Sequence, residues 1–409
     1  MFKYKSIIAK LFLAITVSLY SCNYNEKSLT EQADEIHESI LTLDSHVDTP
    51  LMYSREGFDM AKHNEIGKLD FPRMNQGGLD AVFFAVFLGQ GSGTPEAYET
   101  AKRRAFNVFN QTLESLKKNS DIAGLATTSD DAYRLKKEGK KAVYIGVENG
   151  YPIGYDLEIL HEFYSLGARY LGIVHSANNH LADSSSDPEG EEHGGLSEFG
   201  KEIIPELNRM GMMVDVSHIS DKAFYDVVKI SKAPIIASHS NARSICNHNR
   251  NLDDNMLKAL ADNGGVIQLC LLSAYVKETE RNPQRDSAIA VLRKTYNNYR
   301  DLSDEELDTV RRKWSEINKK YPAELATVSD LVDHVDYVAE LIGIDHIGIG
   351  SDFDGGGGLE DCKDVSEMKN ITVELLRRGY SKKDIEKIWG GNFMRVFKEV
   401  EKYAEKFNS

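Results

Sequence analysis

An imidazole and a carboxylate stand two residues apart in Asp44-Ser45-His46-Val47-Asp48, directly after the apolar run Ile40-Leu41-Thr42-Leu43. Residues i and i+2 of a strand project to one side, so His46 and Asp48 can close on one metal ion. Alone, such a pair is a weak signal. Its weight comes from later short apolar runs that also end in His, Glu or Asp: Val143 to Glu148, Leu171 to His175, Met212 to His218, Pro234 to His239 and Ile347 to Asp352. The chemistry this set favours is metal-dependent hydrolysis.

Each member has a chemical and a structural reading. His218 closes Val214-Asp215-Val216-Ser217 and His239 closes Ile235-Ile236-Ala237-Ser238. On neighbouring strands the two imidazoles can share one metal; singly, each can equally be a hydrogen-bonded structural histidine. Glu148 ends Tyr144-Ile145-Gly146-Val147, and a carboxylate there is costly to bury unless it is paired or holds a cation. Its two oxygens suit it to bridge two metals, one on His46 and Asp48, the other on His218 and His239. Asp352, in Gly350-Ser351-Asp352-Phe353-Asp354, can pass a proton from a metal-bound water to a leaving amine, or can be a further ligand. Asp354, followed by glycines, reads as a turn residue. His175 can stabilise an oxyanion, and the Arg250 guanidinium suits bidentate capture of a substrate carboxylate; both are also open to structural roles. The other histidines, His37, His63, His161, His180, His193, His248, His334 and His346, read as structural by default, although His180 and His193 fall in a polar loop.

These residues need a frame that brings strand ends together. Strand candidates are Ile40 to His46, Leu79 to Leu88, Ala142 to Glu148, Arg169 to His175, Met212 to His218, Pro234 to His239, Gly265 to Leu271 and His346 to Asp352. Helical periodicity fills the intervals at 96–118, 157–166, 198–210, 222–230 and 253–261, with Ser220, Asp221 and Asp253 as candidate N-caps. Strand alternating with helix eight times predicts an α/β fold, a TIM-like (β/α)8 barrel of the metal-dependent hydrolase type. Barrel sites lie at the carboxyl ends of the strands, where these polar residues fall. Two segments interrupt the alternation. Residues 276–330 are highly charged, with helical stretches at 286–299 and 303–319, and predict a helical insertion over or beside the mouth between the seventh and eighth barrel strands. Residues 177–195, rich in Asn, Asp, Ser, Glu and Gly, predict a long loop at the same mouth.

The chain of 409 residues carries 49 Lys and Arg against 64 Asp and Glu, with no basic block, which argues against a nucleic-acid partner. Met1 to Lys5 and the apolar stretch Ile7 to Leu19 have the charged and apolar regions of a secretory signal, too short for a membrane span. Leu19-Tyr20-Ser21-Cys22 is similar to a bacterial lipobox. The expected organisation is a signal peptide at 1–21, a lipidated tether at 22–29 beginning with Cys22, and the hydrolase barrel at 30–409, exported and lipid-anchored to the cell envelope; a plain cleaved signal with an incidental cysteine is the alternative. Only Cys246, Cys270 and Cys362 follow Cys22, with no C-x-x-C, so a metal here takes nitrogen and oxygen ligands.

In order and spacing the chain resembles the membrane (renal) dipeptidase family of zinc-dependent dipeptidases. The resemblance covers the whole mature chain. It rests on Asp44-Ser-His-Val-Asp48, Asp70-Phe-Pro-Arg-Met74 with Gly77-Gly78, Gly146-Val-Glu148, His175, Asp215-Val-Ser-His218, Ser238-His239-Ser240, Arg250-Asn251, Gly350-Ser-Asp352-Phe-Asp354-Gly355 and Gly391-Asn-Phe-Met-Arg395. Related metal-dependent barrels usually open with His-x-His and often bridge their metals with a carboxylated lysine, whereas this chain has His-x-Asp and a strand-ending Glu. The resemblance implies two Zn2+ per chain, one on His46, Asp48 and Glu148, the other on Glu148, His218 and His239, bridged by Glu148 and a water or hydroxide that attacks the peptide carbonyl. It further implies that His175 contacts the scissile carbonyl, that Arg250 holds the terminal carboxylate of a dipeptide and that Asp352 is the acid/base. Homodimers are common in the similar family. There are two departures: Cys270-Leu271-Leu272 stands where many members have Asn-Phe-Tyr, which leaves Arg250 to carry more of the carboxylate recognition alone, and the insertion from Val276 is longer than in the animal enzymes. The same dinuclear site acting on another small amide or lactam, and a catalytically silent surface binding protein, are the rival functions.

Overall fold

A computed structural model describes residues 29–408. The predicted signal segment 1–21 and Cys22 lie outside the described residues. Among the described residues no helix is long and apolar enough to cross a membrane.

A helix over 29–39 leads into the sheet. Eight parallel strands follow one another in space: β1 (Leu43–Val47), β2 (Ala81–Phe87), β4 (Lys141–Glu148), β5 (Ala168–Gly172), β6 (Met213–Asp215), β7 (Ile236–Ala237), β8 (Val266–Leu269) and β9 (Ile347–Ile349). A ninth, β3 (Ala123–Leu125), pairs with β4 off this path. Just beyond the ends of β1 and β9, Asp352 N donates to His46 O at 2.9 Å and Asp48 N to Phe353 O at 2.8 Å, which brings first and last strands together. The (β/α)8 barrel expected from the alternation is the observed architecture.

Every predicted strand is present, and all but β4 are shorter than their apolar runs. Regular pairing stops at Gly172, Asp215, Ala237 and Ile349, before the terminal His or Asp of each run. Backbone conformation accounts for two of these stops: His218 and Asp352 have φ of 72° and 58°, left-handed values that a strand cannot contain. Strand β3 has three residues, one of them glycine, and leaves no alternation to detect. The helices fall where the periodicity predicts. Ser220 caps the helix Asp221–Ile230 by accepting from Ala223 N, and Asp253 caps Asp254–Asp262 by accepting from Met256 N. Asp221 is instead the first helical residue, paired with Arg243 at 2.6 Å.

Alternation along the strands divides two apolar layers. Val82, Phe84, Val86, Val143, Ile145 and Val147 join the layer shared with the surrounding helices. Leu43, Phe83, Tyr144, Tyr170, Met213 and Ile236 belong to a second cluster that fills the barrel. There Phe83 stacks on Tyr144 at 4.6 Å and on Tyr170 at 5.3 Å. The helix Asn392–Asn408 closes the amino-terminal end, with Phe393 5.1 Å from Phe83 and Phe397 5.8 Å from Tyr144 between ring centroids. Gly146 is required by this filling: a Cβ there would fall inside the Tyr170 ring.

The insertion consists of the helices Pro283–Thr295 and Asp304–Lys320. Leu292, Leu302 and Val310 give it a small apolar core of its own. Asp301 Oδ1 accepts from Ser92 N at 2.8 Å in the loop after β2, Arg104 Nη2 donates to Leu302 O at 2.7 Å, and Arg300 approaches Asp187 Oδ2 at 3.5 Å in the 177–195 loop.

Candidate metal centre

The residues singled out in the sequence converge just beyond the strand ends, and Glu148 is their meeting point. Its Oε2 lies 3.5 Å from His46 Nε2. Its Oε1 lies 3.0 Å from His218 Nε2, 3.4 Å from His239 Nε2 and 3.7 Å from His175 Nε2. His218 and His239 face each other with their Nε2 atoms 2.8 Å apart, as neighbouring β6 and β7 allow. His46 Nε2 is 3.6 Å from Asp48 Oδ2 and its ring stacks on His239 at 3.9 Å, so the two halves adjoin.

The pleat alone does not produce the His46 and Asp48 pairing. The β1–β2 register shifts between Asp44 and Val47, and both Leu43 and His46, three residues apart, face inward. A bulge has changed the phase of the strand. Asp48 lies past the strand end at φ −93° and ψ 20°, so a bend returns its carboxylate to His46. Gly355 leaves the space in which the carboxylates of Asp48 and Asp352 approach, since a Cβ there would strike both.

Three donor groups have mutually close ligand atoms: His46, Glu148 and His239; Glu148, His175 and His218; and His46, Asp48 and Asp352. His175 and Asp352 therefore stand within the same convergence as the five residues read as ligands. The donors suit divalent cations. His46 Nε2 and Asp48 Oδ1 are buried with no hydrogen-bond partner. Burial, then the Arg250 charge and His175, holds His218 well below the ordinary histidine range, and burial with His46 and His218 does the same for His239, so both offer neutral lone pairs. Asp48 is pushed up to about 6 by burial and Glu148, and Asp352 well above its ordinary value by burial and Asp48. Against its own burial, Glu148 is held well below the carboxylate range by His46, His175 and the His218 hydrogen bond. Glu148 and His46, held charged by each other, stand beside crowded, dry Asp48 and Asp352 and the neutral imidazoles of His218 and His239, a donor set that suits positive charge.

Several supporting residues had no role in the sequence reading. Tyr170 Oη lies 2.8 Å from His46 Nδ1. Asp215 accepts from Ser238 Oγ at 2.6 Å, and Ser238 Oγ lies 2.8 Å from His239 Nδ1. Both contacts occupy Nδ1 and leave Nε2 for the centre. A carboxylate on the inward phase of Val214-Asp215-Val216 was the available signal for the second.

Arg250 is buried, 3 % exposed, and donates from Nη2 to His239 O at 3.1 Å. Its Nε is buried without a partner, and no carboxylate among the described residues forms an ion pair with it. Leu272 does not leave it isolated: the short helix Ser273–Val276 carries Tyr275 to a ring distance of 5.3 Å from the guanidinium. The sequence reading gives Tyr275 no part beside Arg250. Asp354 holds the neighbouring loop, accepting from Thr49 Oγ1 and Lys68 N at 2.7 Å each.

Comparison with known proteins finds dipeptidases. Dipeptidase tcpJ of Claviceps purpurea is 32% identical over 343 residues, covering 83% of this chain and 70% of that protein. Dipeptidase aclJ of Aspergillus oryzae is 32% identical over 348 residues, covering 84% and 72%. The crystal structure of the probable dipeptidase PvdM from Pseudomonas aeruginosa, 33% identical, matches with a TM-score of 0.80 over 92% of this chain and 100% of that one. The sequence model described as membrane dipeptidase, peptidase family M19, matches residues 30–409, and the chain belongs to that family.

Proposed function

We propose that this protein is a dinuclear zinc dipeptidase. The observation that carries the proposal is the placement of Arg250, a buried guanidinium with no carboxylate partner among the described residues, beside the donor set gathered on Glu148. His46, Asp48 and Glu148 would hold one zinc, and Glu148, His218 and His239 the other. Bound there, a zinc pair supplies an activated water at neutral pH and polarises the peptide carbonyl. The chain's own residues do the rest. Arg250, with Tyr275 beside it, holds the free carboxylate one residue beyond the scissile bond. His175 would donate an imidazole N–H to the carbonyl oxygen as charge develops on it. Asp352 delivers a proton to the departing amine.

Elemental analysis of the active protein is expected to give about two zinc equivalents per chain. One metal or none overturns the dinuclear reading. Turnover on dipeptides with L and D second residues, compared with N-acyl amino acids and lactams, tests the substrate class; preference for the latter two supports the amide or lactam rival. A silent binding protein is disfavoured because the five proposed ligands, Asp352 and Arg250 all meet in one place.

Arg250→Ala is expected to raise KM strongly for dipeptides and much less for dipeptide amides. The loss of a charge pair in a dry site costs about 2 to 5 kcal/mol. Equal penalties on acid and amide would move carboxylate recognition to another residue.

We also propose export and lipid anchoring through Cys22. Acyl chains, not the barrel, would then supply the membrane affinity, so Cys22→Ser should leave an active enzyme that moves from the membrane to the soluble fraction. Unchanged partitioning would refute the anchor.

A further inference from the structure

Where the loop after β2, the 177–195 loop and the tip of the insertion meet, they border a half-open pocket of about 560 Å³. None of the donor residues of the metal centre lines it. His180 does, and it differs from the other buried histidines outside the centre. His37 and His334 are hydrogen-bonded, to Thr372 Oγ1 at 2.7 Å and to Val276 O at 2.8 Å. His180 is 6 % exposed, and beyond a weak approach to the Gly154 backbone neither ring nitrogen makes a well-formed hydrogen bond. Burial lowers it to about 4, so the ring is neutral.

The cavity wall has an aromatic and an acidic part. Tyr155 lies 4.9 Å from His180 at 55° and Tyr98 lies 5.1 Å from it at 76°, while Tyr98 and Tyr155 are 6.0 Å apart at 83°. Three rings at steep angles form a corner. Glu192, an exposed side chain, lines the same pocket as Tyr98, Tyr155 and His180. Of the acidic side chains on the wall, Asp187 is paired with Arg300 and Glu191 with Lys222. Glu189 and Glu192 have no cationic partner among the described residues. An aromatic corner with uncompensated carboxylates attracts an organic cation and repels anions. No group of three clustered metal donors occurs at this cavity among the described residues, which disfavours a metal ion.

We propose that the cavity is a second binding site, for an ammonium or guanidinium group held against Tyr98, Tyr155 and His180 with Glu192 as its counter-charge. Because Arg300 lies in the same wall and Asp301 bonds the adjacent Ser92, an occupant also fastens the insertion to the loops beneath it. The cation can come from a free small molecule or from a basic side chain of a peptide substrate.

Agmatine, titrated calorimetrically into the metal-loaded full chain, is the probe, with uncharged 1,6-hexanediol as control. Saturable one-site binding of agmatine and none of the diol is expected. Glu192→Gln and His180→Phe should each weaken binding about tenfold while turnover of a neutral dipeptide is kept. Arg250→Ala should leave binding unchanged. Absence of saturable binding, equal affinity in Glu192→Gln, or loss of binding in Arg250→Ala would each overturn the proposal, the last by placing the probe in the substrate chamber. The source follows from Ala-Arg against Ala-citrulline. Competitive inhibition by agmatine and a lost preference for Ala-Arg in Glu192→Gln support a substrate side chain, and non-competitive behaviour with unchanged preference supports a separate ligand.

Discussion

Glu148→Ala is expected to remove both zinc equivalents together and to lower kcat/KM on the order of a thousandfold or more. One oxygen of this carboxylate faces His46 and the other faces His218 and His239, so no other residue of the set serves both halves. The imidazoles of His46 and His239 are still held by Tyr170 and Ser238, which keeps the fold while the charge of Glu148 is gone. Metal content per chain, measured beside circular dichroism, checks the outcome. A variant that keeps one full equivalent would show that the halves bind independently and that Glu148 belongs to only one of them.

Asp352→Asn should separate metal binding from proton transfer. The amide preserves the shape of the carboxyl group, and Asn tolerates the left-handed backbone at φ 58° better than most residues. Metal content should stay near wild type while kcat falls on the order of a hundredfold or more, because an amide cannot shuttle a proton. The competing outcome is equally definite. Asp352 lies in one donor group with His46 and Asp48, so loss of metal along with activity would make it a ligand.

The barrel and the donor set were legible because polar residues ending short apolar runs have few places to go in a parallel sheet except its carboxyl edge. The detailed phase was not legible. His46 faces inward through a bulge set by pairing with β2, a cross-strand property that leaves no local mark. Tyr170 and Tyr275 look like ordinary partly apolar residues until distant elements bring them against His46 and Arg250. His180 reads as structural from its sequence, and only the convergence of three mouth segments brings its buried ring to the pocket wall.

The last helix has a consequence for how the chain is made. Synthesis is vectorial, and a ribosome that has completed β1 through β9 has produced a barrel whose floor is open. Phe83 and Tyr144, laid down in the first third of the chain or soon after, wait for Phe393 and Phe397 before their rings are covered. A nascent chain therefore keeps this part of its aromatic interior uncovered until Phe393 and Phe397, well beyond the last strand, have emerged.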